Sequence, residues 1–261
     1  MTACSGFSKY ITLLFMLLLL AVPAFALEKT DRSPRSILES IAKTWEDIQD
    51  FQCVFQQIEQ QPNGETKRFW VHAKVVQEHE SGGQRNGTLR LDFYEDDIPV
   101  SALAGPAVPA TPVVTYYASP QKILYTYKPK ANTLTREWLD DSGPLPEFLK
   151  LAGLAQFDMD ELQDKVFVNK DVYEEVVDEV SCYRLHFFPK PEHKSMEPDR
   201  LLWVNRENYL PKRFEVAGDW KLSIQFKDMI LNQGLRPQEL MPNIPRNVKD
   251  YDLRKNKTRG E

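Results

Sequence analysis

Few residues of this chain could move a proton or hold a metal ion, and they are scattered. His72, His79, His186 and His193 form no pair with a cysteine or carboxylate at a recurring metal-ligand spacing, and the one local cluster, Glu78-His79-Glu80, reads as a polar loop. There is no G-x-S-x-G turn, no phosphate-binding P-loop and no G-x-G-x-x-G. Carboxylates are concentrated at Asp158, Asp160, Glu161 and Asp164, and again at Glu174, Glu175, Asp178 and Glu179. Glycoside hydrolysis would need two of them held roughly 5 to 10 Å apart across a cleft, and solvated acidic faces are the simpler reading. The pattern argues for no enzyme, no metal and no cofactor. Asn86-Gly87-Thr88 and Asn256-Lys257-Thr258 match the glycosylation acceptor, which matters only in a eukaryotic host.

The chemistry this chain offers in quantity is apolar. Phe51, Phe55, Phe69, Val71, Leu89, Leu91, Phe93, Tyr125, Tyr127, Trp138, Leu185, Phe187, Leu222, Ile224 and Phe226 fall at alternating positions in many short segments. Helical segments to cover them are few. Two outcomes are open: a dry core, or a curved sheet and its helices with an apolar cavity between them, a site for an acyl chain.

The elements that position these side chains follow from periodicity. Ile37, Ile41, Trp45 and Ile48 recur at helical spacing, with Glu39, Lys43, Glu46, Asp47 and Gln49 opposite and Ser33-Pro34 as the opening cap. From Phe51 the period becomes two, with no Gly or Pro between, so a helix runs directly into a half-buried strand. Pro62-Asn63-Gly64 turns that strand into TKRFWVHAKVV, and LRLDFYE follows as a third. Pro99, Pro106, Pro109 and Pro112 make residues 96–112 a loop or flap. Three short strands are then expected at Val113 to Ala118, Lys122 to Tyr127 and Thr133 to Leu139. Phe148, Leu149, Ala152 and Ala155 share a helical face, and a shorter helix is expected at Asp158 to Leu162. Strands return at KVFVNK, SCYRLHFFP, RLLWVN, LPKRFEVA and WKLSIQFKDM, with a rigid loop from Pro189 to Pro198. The fold class is mainly β with a few helices (α+β), in one domain over residues 27–245.

Lys9, the apolar run from Ile11 to Val22 and Ala24-Phe25-Ala26 form a secretory signal peptide over residues 1–26. The run is shorter than the ~20 residues a spanning helix needs. Cys4 precedes it, so it cannot become an acylated first residue. The formal net charge is −5 and no Arg-rich block occurs, which argues against nucleic acid as a partner. Residues 246–261 are locally basic and read as a flexible tail. Cys53 and Cys182 could pair in an oxidising compartment, or Cys53, in phase with Phe51 and Phe55, could stay a buried free thiol.

The order of elements resembles the LolA-type periplasmic carriers of outer-membrane lipoproteins. The likeness rests on ILESIAKTWEDIQDFQCVFQQ, on TYYASPQKILYTYKPKANTLTREWL with PEFLKLAGLAQF after it, and on LLWVNRENYLPKRFEVA. It implies an unclosed antiparallel β-barrel with a helical lid over an apolar cavity, in a monomeric periplasmic protein. The lid helices would be Ile37 to Ile48, with Ile41, Trp45 and Ile48 facing the cavity, and Pro146 to Ala155, with Phe148 and Leu149. Trp45 and Phe55 would stand on opposite walls. The implied cargo is the acyl chains of a lipoprotein or another lipid, taken from an inner-membrane exporter and passed to an outer-membrane acceptor. A lipid- or lipoprotein-sensing regulatory module of the same fold is the alternative. In the carriers an inward arginine latches the lid. The matching place falls near Gly87, flanked by Arg85 and Arg90, and Arg90, the candidate latch, is out of phase with Leu89 and Leu91.

Overall fold

The computed structural model describes residues 28–79, 85–95, 111–119, 123–138, 166–191, 198–218 and 221–254. The expected helix at Pro146 to Ala155, with Phe148 and Leu149, and the signal segment lie outside them. A short strand β1 (Glu28–Lys29) precedes helix α1 (Pro34–Glu46). Ser33 caps α1, its hydroxyl accepting from the backbone N–H of Ser36 at 3.2 Å, and Pro34 sits in the first turn where no N–H is needed. Ile37, Leu38, Ile41 and Trp45 form its buried face, as the spacing predicts.

Six strands make the first half of the sheet: β2 (Asp50–Gln60), β3 (Thr66–His79), β4 (Arg85–Glu95), β5 (Val114–Ala118), β6 (Ile123–Lys128) and β7 (Thr133–Trp138). Six more make the second: β8 (Val166–Val168), β9 (Tyr173–Val177), β10 (Val180–Pro189), β11 (Asp199–Asn205), β12 (Pro211–Ala217) and β13 (Lys221–Leu231). A one-turn helix α2 (Pro237–Leu240) and strand β14 (Lys249–Asp252) close the chain. The hydrogen-bonded order is β1-β9-β10-β11-β12-β13-β2-β3-β4-β5-β6-β7-β14, with β8 beside β10. Every pairing is antiparallel except that of β14 with β7. Among the described residues no pairing joins β1 to β14, so the sheet is unclosed. This mainly β, antiparallel, open architecture with two described helices is the expected fold class.

Two elements depart from expectation. Residues 246–254 are not a free tail: Lys249 to Asp252 run parallel to β7, pairing with Thr133 to Arg136. The acidic stretch around Glu174 and Glu175 is strand β9, turned into β10 through Asp178 and Glu179 at positive φ (47° and 63°), the two-residue hairpin geometry that follows strand twist. Burial of the cross-strand partners overrides the low strand propensity of these acids.

β2 and β13 join the two halves through a long ladder from Lys221 against Gln60 to Leu231 against Phe51. A bulge between Phe226 and Asp228 adds a residue to β13, so that Leu222, Ile224 and Phe226 face the same side as Met229 and Leu231. At the end of this ladder Asp50 is buried. Its carboxylate oxygens accept from the backbone N–H groups of Gln233 (2.8 Å) and Gly234 (2.9 Å), and its carbonyl from that of Asn232 (2.8 Å). Asn232 in turn accepts from the backbone N–H of Gln49 and donates to the carbonyl of Asp47. The corner after α1 and the exit from β13 are thus one hydrogen-bonded unit.

Asp50→Ala strands two backbone donors and should cost about 3 kcal/mol in urea unfolding, with Asp50→Asn, which keeps one acceptor, losing less. Equal stability of the alanine variant and the parent would show that the corner is held by something else.

Candidate functional site on the inner face of the sheet

Strand alternation gives the sheet two unlike faces. The inner face, which carries α1, is one continuous apolar cluster: Ile37, Ile41, Trp45 and Ile48 against Phe51, Phe55, Val71, Leu89, Leu91, Leu185, Phe187, Leu222, Ile224 and Phe226, all buried. Trp45 meets Phe51 edge-on at 5.4 Å and Phe55 meets Phe226 at 5.6 Å. Phe55 is wholly buried and Trp45 nearly so. They are not opposite walls of an open space but packed core, and they supply stability rather than contact with a ligand.

Beyond this core the floor continues through side chains that are only partly buried. Phe69 on β3, Phe93 on β4 and Tyr116 on β5 form an edge-to-face row, with ring centroids 5.8 and 5.4 Å apart, and Leu124 on β6 extends it. Such a row is a broad apolar surface with hydrogen-rich ring edges. Polar groups stand beside it. Gln57 donates its amide N–H to Glu59 at 2.6 Å. Burial raises the Tyr116 hydroxyl above its ordinary value, and the negative charges of Glu59 and Glu137 add to the rise. Tyr116 is therefore a neutral hydroxyl at the edge of an apolar floor.

The register corrects three candidates. Tyr117 pairs with both Arg90 and Tyr125, which puts Tyr125, Tyr127 and Trp138 on the outer face, away from Leu91 and Tyr116. The Arg136 guanidinium lies over Tyr125 and that of Arg254 over Trp138. The inner positions on these strands are Tyr116 and Leu124, which sequence reasoning missed. In VVTYYAS both phases carry a tyrosine, and on β6 the more aromatic phase faces outward. The candidate latch Arg90 also points outward, its Nε donating to Asp92 at 2.8 Å, so it cannot hold a lid on the inner face.

The outer face of β2 to β5 is covered rather than open. After β13 the chain returns with α2 against β3 and β4; Leu240 is completely buried, and Val54, Trp70, Tyr94 and Thr115 are buried too. A polar row lies among them. Thr115 donates its hydroxyl to one Asp92 oxygen at 2.6 Å and Arg90 donates its Nε–H to the other, so both are engaged. His72 sits opposite Asp92 in the ladder, and its pKa falls to about 4. Burial is the larger cause, the nearby charges of Lys74 and Arg90 depress it further, and Asp92 opposes them. This is a neutral, packed histidine and not a general base.

Three of the acidic sequence candidates are also occupied. Glu174 is ion-paired with Arg206, Glu175 accepts from the Trp203 indole at 2.8 Å, and Asp178 holds Lys227 at 2.7 Å. Asp158, Asp160, Glu161, Asp164 and His193 lie outside the described residues. No group of three or more His, Cys, Asp or Glu among the described residues could hold a metal ion. Cys53 is on the inner face and Cys182 on the outer, both buried and free. Burial pushes the Cys182 thiol up to about 11 and the Cys53 thiol higher still. They are inert packing groups, not a disulfide.

No family model matches the chain, and no curated protein matches it. Solved structures similar to it include a LolA superfamily protein from Nitrosomonas europaea. That one is 14% identical and has a TM-score of 0.35, the match covering 81% of this chain and 98% of the other. They also include a DUF1329 family protein from Desulfovibrio piger, 12% identical with a TM-score of 0.40, covering 79% of this chain and 96% of that one.

His72 gives a testable pH dependence. Its folded pKa lies below its unfolded value near 6.5, so between those two values the unfolded chain binds a proton that the folded one refuses. Stability from this group is full above pH 6.5 and declines to about pH 4, by about 3 kcal/mol in all. In urea melts at pH 4.5 and 7, His72→Gln should lose less stability on acidification than the parent. An equal loss in both would place the acid sensitivity elsewhere.

Proposed function

We propose that this protein binds the apolar chain of a lipid or of an acylated protein on the inner face of its sheet and carries it without chemical change. The observation that supports this is the partly buried row of Phe69, Phe93, Tyr116 and Leu124, continuous with a fully packed core. A dry core would finish in fully buried side chains, whereas here aromatic floor is left for a further apolar group. The affinity comes from burial. At ~0.8 kcal/mol per CH₂, a twelve-carbon chain offers on the order of 10 kcal/mol before the costs of ordering it. A chain so held leaves slowly, so delivery needs an acceptor that binds it better.

In this reading the leader at residues 1–26 sends the protein to the periplasm. The cargo arrives from an inner-membrane exporter and leaves for an outer-membrane acceptor. The absence of a metal-ligating group and of an activated base among the described residues fits a carrier better than an enzyme.

Organic extraction of the purified protein followed by mass spectrometry should release acyl lipid, and a fluorescent dodecanoyl probe should brighten on binding. Phe93→Ala should weaken that probe about tenfold while leaving the protein folded, since a contact of about 1.4 kcal/mol is removed from a half-open position. Phe55→Ala should instead cost 3 to 5 kcal/mol of stability, roughly as for other buried rings. A protein that carries no lipid and does not bind the probe is not a carrier.

A further inference from the structure

Of the seven large apolar side chains that stand open among the described residues, three lie at one corner of the sheet. They are Trp138 at the end of β7 (45% exposed), Tyr251 in β14 (51%) and Leu253 just after it (44%). The register puts them on both sides of the sheet. Tyr251 lies beside Thr135, which pairs with Thr126 and through it with Tyr116, so it is on the inner face. Trp138 is on the outer face, with the Arg254 guanidinium 5.9 Å from its ring centre. β14 is the last strand in the sheet, and among the described residues no strand lies beyond it. The corner is therefore an open edge with an aromatic ring on each face.

Charge separates this edge from the opposite one. At β1, Lys29 is paired with Asp171, and β9 beside it carries Glu174 and Glu175. Along β14 the pairs Arg136–Asp250 and Arg254–Asp252 balance each other. The sequence then continues with Lys255, Lys257 and Arg259 against the single acid Glu261. Residues 246–261 hold six basic side chains and three acidic ones, in a chain whose formal net charge is −5.

We propose that this edge docks on the surface of an anionic bilayer, with Trp138, Tyr251 and Leu253 entering the headgroup layer and Lys255, Lys257 and Arg259 meeting the anionic headgroups. Tryptophan and tyrosine each have an apolar body and a polar tip, which suits them to the boundary between acyl chains and water. Basic side chains near such a surface add an attraction that salt screens. A strand from another protein fits the same edge less well, because Lys249, Asp250 and Asp252 line it with charge, which opposes pairing. The docking goes beyond the acyl-binding reading and does not depend on it. It does put the bilayer beside the strand whose Tyr251 shares a ladder row with Tyr116, three strands away.

The test is sedimentation of the purified protein, its leader removed, with vesicles of phosphatidylcholine alone and of phosphatidylcholine mixed equally with phosphatidylglycerol. The parent should bind the anionic vesicles at least about tenfold more tightly than the neutral ones at low salt, and high salt should remove most of the difference. The triple variant Lys255→Gln, Lys257→Gln, Arg259→Gln should weaken binding to the anionic vesicles at least about tenfold, and Trp138→Ala about fivefold. Phe167→Ala, at an exposed ring on β8 in the other half of the sheet, should change it less than about twofold. The triple variant alters no described residue, so it keeps the test decisive if Trp138→Ala fails to fold. Equal binding to the two vesicle types, no binding to either, or an equal loss in Phe167→Ala and Trp138→Ala overturns the docking. The dodecanoyl probe should bind every variant as it binds the parent: a protein that takes the probe but ignores vesicles loses only the docking, and one that docks but takes no probe loses only the acyl-binding reading.

Discussion

The pairing of β2 with β13 is the constraint on which the rest of the molecule depends. Among the described residues it is the longest of the three ladders that join strands before residues 139–165 to strands after them, the others being β1 with β9 and β14 with β7, and it puts the strand that leaves α1 at the middle of a fourteen-stranded sheet. Loop-closure entropy opposes a contact between segments so far apart in sequence, and long-range pairing of this kind is slow to form. The Asp50 carboxylate, with the amides of Gln233 and Gly234, fixes its register at one end. The bulge after Phe226 keeps the apolar side chains of β13 inward along its whole length. A slip by one residue would turn Phe51, Cys53 and Phe55 outward and dismantle the inner face.

From that joint the two faces acquire different work. The outer face of β2 to β5 is shut by the returning chain, which places α2 against β3 and β4 and lends β14 to β7. Its polar row of Arg90, Asp92 and Thr115 is satisfied internally, and His72 beside it is held neutral by burial. Nothing in that row is free to react. The inner face has the opposite character: a packed core under α1 and, at one end of it, an aromatic floor that is half covered.

Much of this was legible in the chain because periodicity is local. Ile37, Ile41, Trp45 and Ile48 announce the helix, and Phe51, Phe55, Phe69, Val71, Leu89 and Leu91 announce the inner phase of the first three strands. In each of those strands only one phase is strongly apolar. On β5 both phases carry tyrosine, and on β6 the phase that carries it faces outward, so the pattern alone points Tyr125 and Tyr127 inward and passes over Tyr116; only the pairing of Tyr117 with Tyr125 decides it. β14 could not be read at all. Lys249 to Asp252 is a charged stretch that becomes a strand because the edge of β7 offers it backbone partners.

A photoreactive acyl chain, cross-linked to the protein and mapped by peptide sequencing, tests the inner-face site most directly. A dodecanoyl chain carrying a diazirine at its end should label Phe69, Phe93, Tyr116 or Leu124, and unlabelled dodecanoyl competitor should suppress the labelling. Labelling confined to the outer face at Tyr125, Tyr127 or Trp138, or labelling that competitor does not suppress, would contradict an apolar-chain site on the inner face.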